Sequence, residues 1–192
     1  MVIGSYYLAT REYPKAIEEL KKAIQLNERV PSVHSTLGNA YVAAHDRQQA
    51  AKEFKAELEL NPRDFIANAN LGWLYREEGR LDEAEQLLKR AQELRPEDPA
   101  PLYQMAQVSQ ARGRTEEAAT LLEKVIRRSP RFTAAHVLLA RLYSKLNRPA
   151  DFERERAEIE RLQAEEQRLY QEREKNQPAP QTQPPQTASP KR

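Results

Sequence analysis

Few side chains in this sequence are of the types that catalyse reactions or bind metals, and their spacing fits neither use. The chain has no cysteine and only three histidines, His34, His45 and His136. These histidines do not follow the spacing of zinc ligands, and no GxSxG, phosphate-loop or HExxH sequence occurs. Aspartate and glutamate are common, but a helix surface is their ordinary location. We therefore predict no catalytic residue, no metal site and no cofactor, and we do not expect an enzyme.

Composition and charge exclude further classes of ligand. The 192 residues include 31 basic and 29 acidic side chains, a net charge of +2, so no overall field favours nucleic acid or an anionic membrane. No apolar run approaches the roughly 18 residues of a membrane span. The first residues, MVIGSYYLAT, lack the basic and apolar regions of a signal peptide. We expect a soluble protein with no nucleic-acid partner, and its compartment, cytoplasm or periplasm, is left open.

The spacing of the five glycines indicates the helical elements on which the other side chains are placed. Gly4, Gly38 and Gly72 are 34 residues apart, and Gly79 and Gly113 are also 34 apart. Several other series share this period, which is the signature of a repeat architecture. They are Tyr7, Tyr41, Tyr75, Ser109 and Tyr143; Ile3, Leu37, Leu71, Met105 and Leu139; Ala16, Ala50, Ala84 and Ala118; and Leu20, Phe54, Leu88 and Leu122.

Within each unit the apolar residues follow the helical period in two stretches, with a helix-ending residue between them. A left-handed residue that ends a helix is best glycine, and asparagine and histidine are also enriched there. Four of the five sites in this series carry such a residue. Each unit is therefore predicted to be a helical hairpin, and its turn residues are Arg11, His45, Gly79, Gly113 and Asn147.

The run NLGWLYREEGRLDEAEQLLKRAQELRP, with its Leu-Gly pair, its tyrosine and its closing proline, resembles a tetratricopeptide repeat (TPR). The resemblance covers about residues 1 to 166 and implies an all-α fold, a right-handed superhelical solenoid of antiparallel helix hairpins with about four and a half repeats. The repeats, rich in alanine, arginine and glutamate and followed by a proline- and glutamine-rich segment, resemble those of bacterial members. Departures from the pattern are Glu57, Ser109, Phe152 and Arg156, and the last two indicate a degenerate terminal repeat.

The units are phased on this period, and the composition changes at the C-terminal end. Residues 176–192 are rich in proline and glutamine, so they are predicted to be a disordered tail. The predicted segments are a truncated first repeat at 1–30, repeats at 31–64, 65–98 and 99–132, a degenerate terminal repeat with an extended charged capping helix at 133–175, and the tail at 176–192.

Both ends of the predicted array suggest contacts. The first helix carries apolar side chains such as Ile3 and Tyr7 on an open edge, although terminal repeats need a polar outer face. Either the chain is the C-terminal portion of a longer array, which we favour, or another surface covers this edge. In the last helix, Phe152, Ile159, Leu162 and Leu169 occupy heptad-like positions, which leaves a short coiled coil open.

The resemblance places the first helix of each hairpin along a concave groove. Its predicted lining is mostly amide and hydroxyl, with one indole and one phenol, which suits an extended or helical polypeptide. Trp73 has an alternative role as a core residue packed against a neighbouring helix. The predicted peptide-binding residues are Ser35, Asn39, Asn70, Trp73, Arg76, Tyr103, Gln104, Gln107 and Arg141, with Val137 and Lys145 on the same face.

One subclass of the family grips a terminal carboxylate with two asparagines and three basic residues. Asn39 and Asn70 match the two asparagines, but Ser35, Ala100 and Gln104 stand where the basic residues belong. A buried carboxylate would lack its cations there, so we do not predict a binder of chaperone tails.

Two functions follow for the whole chain. The first is a non-catalytic protein-interaction scaffold that binds a protein or peptide partner in the groove. The alternative is a self-assembly module, a homodimer formed through the open N-terminal edge or through the charged C-terminal helix.

Overall fold

The computed structural model describes residues 2–27 and 30–176, without the side chains of 2, 175 and 176, and these residues form ten helices and no strand. Successive helices pair as antiparallel hairpins, which we number units 1 to 5, and the predicted all-α repeat solenoid is confirmed. The predicted tail lies outside the described residues apart from 176. The helices are α1 (Val2–Ala9), α2 (Tyr13–Leu26), α3 (Val33–Ala43), α4 (Arg47–Leu60), α5 (Phe65–Glu77), α6 (Leu81–Leu94), α7 (Pro99–Ala111), α8 (Thr115–Arg128), α9 (Thr133–Lys145) and α10 (Pro149–Asn176).

A left-handed residue separates the two helices of every unit. All five predicted turn residues have positive φ, including Arg11 at 61° and Gly79 at 77°. In the third unit the N–H of Arg80 reaches back to the carbonyl of Tyr75 at 2.8 Å, the hydrogen bond that closes a Schellman turn. Arginine is not among the residue types that favour this conformation. Arg11 adopts it nevertheless, because the same hydrogen-bond pattern satisfies the end of α1.

Close contact between the two helices of a hairpin explains the glycine series. A Cβ added at Gly38 would lie 2.5 Å from the ring of Phe54, and one added at Gly72 would lie 2.9 Å from the side chain of Leu88. Each glycine therefore makes room for the large apolar residue of the partner helix. Phe54 and Leu88 are fully buried as a result.

Neighbouring units stack through the second helix of one and the first helix of the next. The ammonium groups of Lys21 and Lys55 lie 5.7 and 5.6 Å from the ring centroids of Tyr41 and Tyr75 in the following unit. In the last interface the hydroxyl of Tyr143 donates to Glu123 at 2.8 Å. Burial, and then this hydrogen bond to a carboxylate, raise the pKa of Tyr143. The tyrosine series thus marks the contacts between units.

Glu57, which departs from the family pattern, is buried and supports the start of α3. Its carboxylate accepts from the backbone N–H groups of Ser32 at 3.3 Å and Ser35 at 3.4 Å. The turn before α3 has Val30 where the turns before α5 and α7 have the capping residues Asp64 and Asp98. Glu57 therefore supplies, from α4, the negative charge that a helix N-terminus favours.

Two of the three histidines form buried pairs with glutamates of the partner helix. His34 Nδ1 lies 2.7 Å from Glu53 Oε2, and His136 Nδ1 lies 2.6 Å from Glu155 Oε2. The two pairs occupy the same place in units 2 and 5. In unit 4 this place is taken by two buried leucines, Leu102 and Leu121. The histidines thus have a structural role, and the same place in the hairpin is filled by a histidine–glutamate pair in units 2 and 5 and by two leucines in unit 4.

The last helix is part of the core along its first half and solvated beyond it. Leu162 is buried and Phe152 packs against the second core cluster, so these heptad positions face α9 and are not free for a coiled coil. The outer face of α10 carries Glu153 and Glu160, whose side chains are 62% and 65% exposed. The corresponding positions of unit 1 are Ile17 and Ile24, and of unit 4 Ala119 and Ile126.

The first edge of the array differs sharply from the last one. Ile3 is 58% exposed and Tyr6 is 61% exposed. At the position of Tyr6, the other four units place residues that are at most 1% exposed, because the preceding hairpin covers them. These residues are Ala40, Leu74, Val108 and Leu142.

Candidate functional site: the surface of the first helices

The first helices of units 2 to 5 share one accessible surface. In α3, α5, α7 and α9 the residues that keep solvent contact recur at helical spacing, while the remaining faces are buried by neighbouring helices. α3 contacts α5, α5 contacts α7, and the ring of Tyr103 in α7 lies 4.9 Å from that of Phe132, just before α9, so the accessible faces follow one another along the array. We call this the first-helix surface; it comprises Asn39, Val42, Asn70, Trp73, Arg76, Tyr103, Gln104, Gln107, Val137, Arg141 and Lys145.

Hydrogen bonds between side chains link neighbouring helices across this surface. Asn70 Nδ2 donates to Asn39 Oδ1 at 2.7 Å, joining α5 to α3. Arg76 Nε donates to Gln104 Oε1 at 2.9 Å, joining α5 to α7. Each amide keeps further donor or acceptor capacity. The result is a row of positioned polar groups whose geometry is fixed by two helices at a time.

Trp73 lies at the middle of the first-helix surface and is half-buried. One part of the indole packs against the first core cluster, and the guanidinium of Arg47 lies 5.6 Å from the ring centroid, within range of a cation–π contact. Trp73 is therefore neither a fully exposed anchor nor a core residue alone. The exposed part of the ring is the apolar contact that this surface offers to a ligand.

Tyr103 is more tied to structure than expected. Its ring centroid lies 4.9 Å from that of Phe132, the residue before α9, and the side chain packs against the second core cluster. The partly exposed ring thus joins units 4 and 5 while still facing the surface. Gln107, on the next turn of α7, is half-buried, and its Oε1 accepts no hydrogen bond from the described residues.

Ser35 does not belong to the surface, which corrects the prediction that it contacts a peptide. The residue is 0% exposed, and its hydroxyl donates to Asp64 Oδ1 at 2.8 Å. Asp64 lies 29 residues away at the start of α5 and is itself buried. Because a buried carboxylate needs hydrogen-bond donors, Ser35 is turned inward to satisfy Asp64.

The cations of this surface have two different environments. Arg76 lies 2.8 Å from the carboxylate of Glu77, so its charge is compensated within α5. Arg141 and Lys145 are exposed on successive turns of α9 and make no ion pair with any other residue from 2–27 or 30–176. The uncompensated positive charge of the surface is therefore concentrated in unit 5.

Sequence reasoning missed Arg47 as part of the site. The residue begins α4, a second helix, and the periodic pattern assigns such helices to the opposite side of each unit. Its side chain nevertheless reaches Trp73 and lies 3.7 Å from the carboxylate of Glu77. No local signal identifies this contact, since the partners are about 30 residues apart and meet only when the units stack.

Neither a metal site nor a membrane-spanning helix is found in the part of the chain that the structure describes. No three histidine, aspartate or glutamate side chains there come together in a group able to hold a metal ion. None of the described helices combines the length and the apolar character that crossing a bilayer requires. The first-helix surface itself offers hydrogen bonds from amide side chains, the partly exposed rings of Trp73 and Tyr103, and positive charge.

Comparisons with known proteins agree on the fold. Models described as "Tetratricopeptide repeat" match residues 35–99 and 109–172, and one described as "TPR repeat" matches residues 4–44. No curated protein sequence matches the chain significantly.

Among solved structures, MamA is 19% identical, with a TM-score of 0.79 over 88% of this chain and 98% of MamA. PilF of Pseudomonas aeruginosa is 21% identical, with a TM-score of 0.75 over 83% of this chain and 72% of PilF. YrrB, described as a TPR protein with an unusual peptide-binding site, is 18% identical, with a TM-score of 0.71 over 89% of this chain and 88% of YrrB. At these identities the likeness concerns the fold.

Proposed function

Since this chain belongs to the tetratricopeptide repeat family, we propose that it is a non-catalytic protein-interaction scaffold that binds a polypeptide segment along its first-helix surface. One observation carries the proposal: the accessible faces of α3, α5 and α7 carry amide side chains held by hydrogen bonds between helices, beside the only tryptophan. The peptide site named for YrrB, a protein of similar fold, is consistent with this use.

The chemistry of the surface fits the backbone of a peptide better than a small metabolite. Amides of asparagine and glutamine donate and accept, so Asn70 and Gln104 can pair with peptide N–H and C=O groups along an extended segment. Trp73 supplies an apolar contact at the centre, where binding energy concentrates in interfaces of this kind. The ligand is thus a segment that runs across several units and places an apolar side chain against the indole.

Binding of a selected peptide is expected to depend on Trp73. A peptide chosen from a displayed random library against the whole chain should bind Trp73→Ala about 30-fold more weakly, the loss that removal of a 2 kcal/mol anchor gives. Affinity is measured by the anisotropy of the labelled peptide. In the unaltered chain, the emission of its single tryptophan should change on titration, because the exposed part of the indole is covered.

Two further variants separate binding from stability in this test. Gln104 lies on the first-helix surface and outside the core clusters, so Gln104→Ala should also weaken peptide binding. Lys89→Ala, on the exposed side of α6, should leave affinity unchanged. The proposal would be contradicted if the selected peptides bound Trp73→Ala and Gln104→Ala as tightly as the unaltered chain, because the interaction would then lie elsewhere on the molecule.

The exposed edge formed by α1 favours self-assembly as a second candidate function. Ile3 and Tyr6 are exposed, whereas the other units bury the residues corresponding to Tyr6 and all but one of those corresponding to Ile3, and apolar patches of this kind often mark interaction sites. Two copies that pair these edges would bury both residues. The charged α10 is a weaker candidate, because its apolar residues are mostly used against α9.

This candidate predicts that the mass in sedimentation equilibrium rises with concentration from the 22.2 kDa of one chain towards twice that value. The double substitution Ile3→Ser and Tyr6→Ser should abolish the rise, and it should not unfold the chain because both side chains are exposed. Leu169→Ser with Tyr170→Ser, an equal change on α10, should have no effect. A constant monomer mass at every concentration would exclude self-assembly and leave the scaffold function as it stands.

A further inference from the structure

The cations of the first-helix surface that lack an ion-pair partner lie at one end. Arg141 and Lys145 lie on α9, four residues apart, and both are exposed. In units 2 to 4, Arg76 on the surface and Arg47 beside Trp73 both pair with the carboxylate of Glu77, whereas Arg141 and Lys145 pair with no residue that the structure describes. The chain as a whole is nearly neutral, at +2, so this asymmetry is not a reflection of overall composition.

From this asymmetry, and resting on the proposed function, we infer that the ligand is an acidic polypeptide segment: an apolar side chain of the segment contacts Trp73, and side-chain carboxylates of the same segment pair with Arg141 and Lys145. The two cations have no partner among the described residues, so they remain free to pair with a ligand. Guanidinium and ammonium groups at this spacing match two acidic side chains, with Arg141 able to hold one in a bidentate arrangement.

The distance between the two contacts sets the spacing within the segment. From α5 to α9 there are two steps between first helices, and packed helices are separated by roughly 10 Å, so the contacts are about 20 Å apart. An extended chain advances roughly 3.3 Å per residue, which corresponds to about six residues. The segment is therefore expected to carry its carboxylates about six residues from its apolar anchor.

Internal carboxylates fit this surface better than the free carboxylate of a chain terminus. The residues of units 2 to 4 that would enclose a terminal carboxylate are uncharged, namely Ser35, Ala100 and Gln104, and Ser35 is buried. Arg141 and Lys145 are open to solvent and can accept carboxylates on side chains that approach from either direction. The chain's own tail, PAPQTQPPQTASPKR, has no acidic residue and does not fit this end.

The test uses synthetic peptides of about 14 residues, long enough to span both contacts. They are acetylated and amidated, so that side chains carry the only carboxylates, and each has one phenylalanine and, about six residues away, a pair of glutamates in one order or the other. Matched peptides carry glutamine or lysine in place of the glutamates. Binding is measured on the full chain by anisotropy and by Trp73 emission.

We expect the glutamate peptide to bind about five- to tenfold more tightly than the glutamine peptide, as two exposed charge pairs allow. The double substitution Arg141→Gln and Lys145→Gln should remove this preference, and the preference should shrink as salt rises from about 0.05 to 0.5 M. Arg127→Gln with Arg128→Gln removes the same charge from the exposed last turn of α8 and should leave the preference intact.

The outcomes separate this inference from the proposed function. Equal binding of glutamate and glutamine peptides, with both weakened by Trp73→Ala, would overturn the acidic preference and retain the peptide-binding surface. An equal loss in the α8 control would show that net charge alone is responsible and would also overturn the inference. Failure of every peptide to bind, including the selected ones, would overturn both.

Discussion

Changing His136 alone to leucine is expected to lower the free energy of unfolding by about 3 kcal/mol, whereas changing His136 and Glu155 together to leucine is expected to keep it within about 1 kcal/mol of the native value. The single change leaves a mostly buried carboxylate without its partner; the solvent contact that Glu155 retains, at 15% of its side chain, keeps the loss at the lower end. The double change copies the two buried leucines of unit 4, Leu102 and Leu121.

The geometry of this pair explains the non-additivity. One ring nitrogen of His136 faces the Glu155 carboxylate at 2.6 Å, and the other faces the carbonyl of Pro130 at 2.9 Å. Removing the imidazole frees both acceptors, but Pro130 is exposed and water can reach its carbonyl. Removing both members leaves only an apolar contact of similar volume, which buried pairs often tolerate.

Urea unfolding followed by circular dichroism measures the loss, and hydrogen exchange of α9 and α10 localises it, because repeat arrays open unit by unit. The pair in unit 2 provides a second case: His34 Nε2 makes no hydrogen bond with the described residues, so His34→Leu removes only the contact with Glu53, and adding Glu53→Leu should again cost less than the sum of the single changes. If the double variant lost as much free energy of unfolding as the two single variants together, a leucine pair could not replace the histidine–glutamate pair at this position.

Asp64→Ala is expected to destabilise the chain by about 3 kcal/mol, against about 1 kcal/mol for Asp98→Ala at the equivalent position. Both residues cap a first helix: Asp64 accepts from the N–H of Ala67 at 2.8 Å, and Asp98 from that of Ala100 at 2.9 Å. Asp64 also accepts from two serine hydroxyls of the preceding unit, at 2.8 and 3.1 Å. The excess is the cost of leaving those hydroxyls, one fully buried, without an acceptor.

A third variant identifies the source of that excess. Ser35→Ala in the Asp64→Ala background removes the buried hydroxyl that lost its acceptor, so it should recover about 1 kcal/mol. The same serine change in the native chain should be destabilising, because Asp64 then loses a donor. Equal losses for the Asp64 and Asp98 variants would show that the capping bond accounts for the whole effect.

The hairpins could be predicted because each depends on residues close together in sequence. A positive-φ turn residue flanked by two helical apolar patterns specifies a hairpin almost by itself, and Gly79 and Asn147 adopt that role. Arg11 and Ser32 also have positive φ, although neither type favours it. For Arg11 the series of equivalent positions revealed the turn. No series of equivalent turn residues marks Ser32, whose N–H donates to the Glu57 carboxylate in α4.

The candidate surface could be predicted as a face but not residue by residue. Helical spacing places Ser35 on the same face as Asn39, yet the structure buries Ser35 and leaves Asn39 partly exposed. The difference arises from Asp64, whose side chain arrives from the next unit. The partial exposure of Trp73 similarly depends on Arg47. Contacts between stacked units follow from side-chain size and reach at sites about 30 residues apart, which periodicity does not encode.

The unlike faces at the two ends give the array a direction, with consequences for how copies can join. A copy added head to tail would bring Ile3 and Tyr6 against Glu153 and Glu160, which are exposed and both paired with Arg156, so this charged group would lose its water. Heterologous contacts of that kind would propagate without limit. The charged group on α10 therefore disfavours head-to-tail growth and leaves the pairing of two α1 edges as the more favourable association.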